Sequence, residues 1–324
     1  MFTKALTLFS GVFAFMVVAL GAWTRLADAG LGCPDWPGCY GFITIPINQE
    51  DISLANERFP DSPYELAKAI PEVIHRYFAA FLGLLIIGIY LSIIKKHDFP
   101  KHIRTLSGFL VLWVCMQGLF GYLTVSLKLW PQVVTSHLLA GFAATVILWV
   151  LFFKIKDFYG QARKKWNLSN PILKLISIGI FLVTFQIFLG AWTSTNYAAL
   201  SCPDFPTCQG VFWPEADFKK GFNLFQAFGP NFLGGLLDHE SRVAIHLVHR
   251  YGAIVITLYL SGLAWVLFSN GYLLLSLGLL LALIFQLVLG ISNVLFSLPL
   301  LVAVGHNLGG LFLINYLSVL RFRE

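Results

Sequence analysis

The sequence predicts an all-α integral membrane protein with eight transmembrane helices, arranged as two parallel four-helix-bundle repeats. Three observations predict this. Hydrophobic residues make up 57% of the chain and charged residues only 12%, with a mean hydropathy of +0.76, whereas soluble domains carry about 25% charged residues. Eight apolar stretches are each long enough to cross roughly 30 Å of hydrocarbon, which takes about 20 helical residues. The pattern is also stated twice. Trp23, Cys33, Cys39, Gln117, Gly121, His137 and Gly141 recur 169 positions later as Trp192, Cys202, Cys208, Gln286, Gly290, His306 and Gly310.

Taken in order, the stretches lie near residues 6–26, 71–94, 105–127 and 132–154, then 171–195, 241–268, 271–294 and 299–320. The first could pass for a signal peptide. It has no convincing small-residue cleavage site, and its polar tail at 21–25 repeats at 190–194, so it reads as a retained helix. The second stretch of each set carries His75-Arg76-Tyr77 or His249-Arg250-Tyr251, at an offset of 174 because five extra residues lie between the second cysteine pair and its histidine. A repeat boundary between 165 and 166 divides the chain into units 1–165 and 166–324. Four helices per unit is an even number, so the two units run parallel rather than inverted.

Lysine and arginine set the orientation. With the N-terminus inside, 13 of the 22 basic residues lie on the inner side, among them Lys95, Lys96, Lys101, Arg163, Lys164, Lys165, Arg321 and Arg323. Of the 16 acidic residues only Asp98, Asp157 and Glu324 do. The positive-inside rule then places both termini in the cytoplasm. It also accounts for the net charge of +6 without nucleic-acid binding.

Residues 27–70 and 196–240 form two long outer loops. Each opens on one unit, Cys33-Pro34-Asp35-Trp36-Pro37-Gly38-Cys39 or Cys202-Pro203-Asp204-Phe205-Pro206-Thr207-Cys208. Proline fixes φ and ends helices, so each unit is a compact turn. Such a turn brings two cysteines within disulfide reach, and an outer, oxidising face would preserve the bridge. A four-cysteine zinc site is the rival, weakened by the spacing. A bridge here serves as a loop staple or exchanges thiols. Cys115, alone in the third stretch, reads as a small buried apolar residue.

Eight histidines are present. His97 and His102 fall in the basic inner segment 95–104, and His239 at the water boundary before the sixth stretch; these carry no assigned role. His75, His137, His249 and His306 each lie one to two turns into an even-numbered stretch, at matching depth. Ionisable groups inside a bilayer are expensive and default to function, although histidines also hydrogen-bond between helices. Two neutral imidazoles facing across a bundle are natural axial ligands for haem iron. Zinc or copper also takes imidazole but would usually recruit a third strong ligand. Pairing within each repeat gives His75 with His137 and His249 with His306. Arg76 and Arg250 follow the histidines directly, as propionate partners or as snorkelling helix anchors.

The repeats differ at one position. Glu72 precedes His75 by three residues, on the same helix face, where the other repeat has His246 before His249. A carboxylate beside one histidine pair suits proton chemistry. The plainer alternative is an acid at a helix start after Pro71, favoured by the dipole.

The joint order of Glu72-Val73-Ile74-His75-Arg76, Ser136-His137, His249-Arg250, Gly305-His306-Asn307 and the two cysteine loops resembles the haem A synthase family, over essentially the whole chain. Members oxidise one porphyrin methyl group of haem O to a formyl group, giving haem A. The resemblance implies that unit 1–165, with His75 and His137, binds the substrate haem, with Glu72 catalytic beside it. Unit 166–324, with His249 and His306, would hold haem B as electron-transfer cofactor. The cysteines match the paired cysteines of many bacterial members, some of which lack them, so core chemistry is not expected of them. The resemblance also implies a bacterial inner membrane, a haem O synthase upstream, terminal oxidase assembly downstream, an electron-transfer partner of unstated identity, and room for an oligomer. A di-haem b-type electron carrier without substrate chemistry is the alternative. A parallel-repeat transporter or a membrane thiol oxidoreductase leaves the matched histidines unused.

Overall fold

The computed structural model describes residues 1–96, 98–160 and 166–323. His97, residues 161–165 and Glu324 lie outside them, and with them the expected unit boundary and the inner charges Arg163, Lys164 and Lys165. The described residues form ten helices: α1 (Phe2–Leu26), α2 (Gln49–Arg58), α3 (Leu66–Ile94), α4 (Lys101–Ser126), α5 (Pro131–Phe158), α6 (Asn170–Thr195), α7 (Phe218–Gly221), α8 (His239–Ser269), α9 (Leu273–Leu295) and α10 (Leu300–Phe322). All but α2 and α7 are long and apolar enough to span a membrane. The chain is an all-α, multi-pass membrane protein.

Each span is helical because a bilayer core offers no water to the backbone, so every N–H and C=O must be paired within the segment. The faces turned away from the protein carry Leu84, Leu119, Phe181, Leu258 and Leu281, each more than half exposed. In water such a surface would aggregate; in a bilayer it is the lipid contact.

Helices α1, α3, α4 and α5 pack in a closed ring, α1 on α3, α3 on α4, α4 on α5 and α5 on α1. Helices α6, α8, α9 and α10 close a second ring in the same order. The rings meet where α1 packs on α10, α5 on α6 and α5 on α10. Each ring has its own apolar core: Ile86, Ile89, Leu110, Leu148 and Leu151 in the first, Ile176, Leu260, Leu263, Leu279 and Leu317 in the second.

Three expectations are corrected. Helix α3 begins at Leu66, with Pro71 inside it. Glu72 therefore stands in the second turn, beyond the reach of a dipole that fades within the first, and the helix-start explanation for this acid falls away. Cys115 is exposed rather than buried, because α4 packs only on α3 and α5 and turns its remaining face to lipid. His102 lies in the first turn of α4 rather than in a loop.

The two cysteine loops have the same construction. Cys33 and Cys39 are disulfide-bonded with Cα atoms 4.8 Å apart, and Cys202 and Cys208 with Cα atoms 4.6 Å apart, which removes the zinc alternative. In the first, the Asp35 carboxylate accepts from the backbone N–H groups of Tyr40 (2.6 Å) and Gly41 (2.7 Å). In the second, Asp204 accepts from Gln209 (2.5 Å) and Gly210 (3.0 Å). Gly41 and Gly210 both sit at φ +79°, a left-handed turn that a side chain would strain. The loop aspartates thus close the turns that the prolines open.

Candidate functional site

Helix α3 carries Glu72, His75 and Arg76, and α5 carries His137. In the second ring α8 carries His246, His249 and Arg250, and α10 carries His306. In each ring the two histidine-bearing helices occupy opposite corners, so the imidazoles face across the bundle rather than along one helix pair. His249 and His306 have ring centroids 6.5 Å apart, with planes at 87°. His75 and His137 lie within electrostatic reach of one another.

A glycine faces each of these rings. A methyl group added at Gly21 would come within 2.8 Å of His75, at Gly190 within 3.2 Å of His249, at Gly290 within 3.0 Å of His306, and at Gly121 within 3.8 Å of His137. Gly21 and Gly190 are repeat partners, as are Gly121 and Gly290. At Gly21 a Cβ would force the imidazole to shift, at Gly190 and Gly290 the ring would have to give by a few tenths of an ångström, and at Gly121 a methyl would make ordinary van der Waals contact.

The far ring nitrogens are held unequally. His75 Nδ1 lies 3.1 Å from the Val17 carbonyl, and His306 Nδ1 lies 3.2 Å from the Gln286 carbonyl. A carbonyl can only accept, so these rings carry their proton on Nδ1 and leave Nε2 free as a metal ligand. His249 Nδ1 instead meets the Gln186 side-chain amide at 3.1 Å. His137 Nδ1 is buried without a hydrogen-bond partner.

Arg76 and Arg250 do something that sequence reasoning missed. Arg76 donates to the carbonyls of Asp35 (2.9 Å) and Gly38 (2.6 Å) and pairs with Glu72. Arg250 donates to the carbonyls of Asp204 (2.9 Å), Thr207 (2.8 Å) and Cys202 (2.7 Å). Both guanidinium groups tie a disulfide loop onto its bundle. Glu72 and His246 complete the two clamps at the same place. Glu72 accepts from the Cys33 N–H at 2.9 Å; on His246, Nδ1 lies 3.3 Å from the Cys202 N–H and Nε2 3.1 Å from Arg250 Nε, and a neutral imidazole accepts at one of the two. Both residues are buried, at 4% exposure each.

The donor set fits haem. Two metal–nitrogen bonds of roughly 2 Å each, plus the imidazole radii, give roughly 6 Å between ring centres, close to the 6.5 Å between His249 and His306. Among the described residues no three His, Cys, Asp or Glu side chains gather as a bare-ion site would require. Among the buried polar atoms without a partner, His137 Nδ1 and Asn307 Oδ1 lie on histidine-bearing helices, and Gln117 Nε2, Gln186 Oε1 and Gln286 Oε1 on their neighbours in the rings.

The COX15-CtaA family, described as cytochrome oxidase assembly protein, matches residues 4–318. The chain belongs to this family. Among curated COX15-CtaA relatives, the haem A synthase of Shewanella oneidensis is 43% identical over 96% of this chain and 93% of its own length. Those of Rickettsia canadensis and the Wolbachia of Culex pipiens are 27% and 25% identical, over 97% and 93% of this chain and 94% and 93% of theirs. The four facing glycines and Gln186 are the site features that sequence reasoning passed over. The glycine pairs were visible at the 169-residue offset; Gln186 breaks the repeat and had no such signal.

Proposed function

We propose that this chain is a haem A synthase, oxidising one porphyrin methyl group of haem O to a formyl group to supply haem A for terminal oxidase assembly. The observation that carries the reading is the pair of diagonal histidine sites, one of them with a buried carboxylate beside it, in a chain 43% identical to a haem A synthase along nearly its whole length. The N-terminal ring, with His75 and His137, takes the substrate haem. The C-terminal ring, with His249 and His306, takes haem B as the electron-transfer cofactor. Bound haem iron supplies the redox chemistry. The chain supplies orientation and proton handling.

Among the described residues Glu72 is the one buried acidic side chain. It is buried beside His75, and the Arg76 guanidinium and the Cys33 amide fix its two oxygens. Converting a methyl to a formyl group releases protons, and a fixed carboxylate one helical turn from the iron ligand can accept them. His246 occupies the matching place in the other ring and keeps that loop clamped. Division of labour between the halves follows from this substitution. His137 has no partner at Nδ1, so it is the less firmly held ligand of the substrate pair.

The reading places the protein in a bacterial inner membrane, with both termini cytoplasmic and the disulfide loops on the oxidising side. A haem O synthase acts before it. Haem loading of single variants tests the assignment of halves. His249→Ala should lose haem B. His75→Ala should retain haem B and make no haem A. The reverse pattern would exchange the two halves.

A further inference from the structure

Two runs in the disulfide loops, 36–49 and 205–214, contain no Asp, Glu, Lys, Arg or His. Each holds the small hairpin that follows the aspartate turn. Cys39 and Phe42 exchange both backbone hydrogen bonds, at 2.8 and 3.1 Å, and Cys208 and Val211 do so at 2.8 and 3.3 Å. Beyond the hairpin the chain is apolar and turned outward. Ile43 is 84% exposed, Ile47 78%, Phe212 67% and Trp213 66%. Scattered apolar side chains on a surface are ordinary, but clustered ones mark a contact.

Both tips are tied down. The Tyr77 hydroxyl of α3 donates to the Ile43 carbonyl, and the Tyr251 hydroxyl of α8 donates to the Phe212 carbonyl at 2.7 Å. Tyr77 and Tyr251 are repeat partners, and so are Ile43 and Phe212. Trp213 also stacks on Tyr251, with ring centroids 5.7 Å apart. Arg76 and Arg250, one residue before the tyrosines, hold the same loops, so each loop is fixed at two adjacent places on a histidine-bearing helix.

The tethers set the depth of the tips. Tyr77 lies eleven residues past Leu66 in α3, roughly 16 Å along the axis. Tyr251 lies twelve residues past His239 in α8, roughly 18 Å along it. A helical side chain leans back toward the helix start by about one turn, or roughly 5 Å, so each tip hangs well below the first turn of its helix. There it meets the lipid-facing surface. Tyr77 shares an exposed stripe of α3 with Ile74, Phe81 and Leu84, and Tyr251 shares one of α8 with Ile254 and Leu258.

We propose that the two disulfide loops are seated in the membrane. The tips at residues 43–47 and 212–213 lie at the boundary of headgroups and acyl chains, in the leaflet on their own side, and the partner they contact is lipid. Continuity favours lipid over a protein: the tips extend faces that already meet acyl chains. Tyrosine and tryptophan, each with an apolar body and a polar edge, suit that boundary. The proposal is independent of which haem each ring binds.

The test uses the full-length protein in phosphatidylcholine nanodiscs. A phosphatidylcholine carrying a diazirine in one acyl chain is photolysed with the wild type, and the labelled peptides are mapped. Ile43→Cys, Phe212→Cys and, as an exposed loop control, Asp61→Cys are then made singly in a Cys115→Ser background. Their alkylation by a charged, membrane-impermeant maleimide is timed without reductant, in variants whose thermal midpoint matches that background. Lipid adducts should map to residues 43–47 and 212–213 as well as to the spans. Alkylation at positions 43 and 212 should run at less than about a tenth of the rate at position 61, because a thiol in apolar surroundings keeps its proton. The photolabel needs no substitution, so it decides alone if a variant misfolds. Absence of lipid adducts from both tips overturns the proposal: with fast alkylation the tips stand in water, and with slow alkylation a second copy or another protein covers them.

Discussion

Glu72 has two commitments, to the Cys33 amide and to Arg76, and they separate under mutation. Glu72→Gln keeps an acceptor oxygen for the amide, so the loop should stay in place and haem B should stay bound. Haem A formation should fall about 10²–10⁴-fold, the usual range for losing a general acid–base group. Normal haem A output from this variant would remove Glu72 from the chemistry. The facing glycines give a second residue-scale test. Gly290→Ala puts a methyl 3.0 Å from His306, whereas the same change at Gly118, also in a span, meets nothing within 4 Å. Haem B affinity should drop about 10–100-fold in the first, as when a ligand loses its support, and stay unchanged in the second. Equal retention would mean that the rings are not seated by glycine.

At the scale of elements, the disulfide loops are small structures pinned to the bundles. Cys33, Cys39 and Tyr40 are buried with Ala55 and Ala69 in a core of their own. Replacing Cys33 and Cys39 by serine opens a loop of six-residue separation. The chain-entropy cost is about 2 kcal/mol, to be read as earlier proteolytic cleavage in residues 27–70. Burial, followed by the charge of Glu65, pushes the Tyr40 phenol from 10.0 up to about 12. A raised phenol contributes stability that is complete below pH about 10 and is lost as pH climbs toward 12. Tyrosinate absorbance should therefore lose one late-titrating phenol in Tyr40→Phe; loss of an ordinary one instead would contradict a buried loop core. The spans were legible in the sequence because length and apolarity alone decide them. The start of α3 was not, because Pro71 reads as a helix start although the helix runs five residues further back. The short helix α2 carried a cap signal, Asn48 accepting from the Asp51 N–H at 2.8 Å, that the polarity of its loop obscured. Burial of Cys115 could not be read at all, since it depends on which neighbours α4 has.

At the scale of the molecule, the two rings are held together by groups that the repeat does not duplicate. Arg25 has no basic counterpart; its repeat partner is Ser194, and Arg25 Nη2 donates to the Ser194 carbonyl itself at 2.5 Å. Its guanidinium also lies 4.1 Å from the centre of the Tyr197 ring. Toward the opposite end Arg323 faces Asp157 across 3.5 Å, and between them Asn315 Nδ2 donates to Thr145 at 3.1 Å. Arg25→Ala should cost about 1.5–3 kcal/mol, the scale of a hydrogen bond from a charged donor, seen as a lower thermal midpoint with haem B still bound. An unchanged midpoint would mean that the rings do not depend on this contact. The histidine pairing was legible from the repeat alone. The clamps were not, because Arg76, Glu72, Arg250 and His246 meet their partners across 38–48 residues of chain.

The central claim is that one ring holds a permanent haem and the other a haem that is changed. Chromatographic typing of the haem extracted from the purified protein, produced with and without a haem O synthase, tests it most directly. The account predicts haem B alone without the synthase, and haem B together with haem O or haem A when it is present. Two equivalents of haem B under both conditions would contradict it and identify an electron carrier instead.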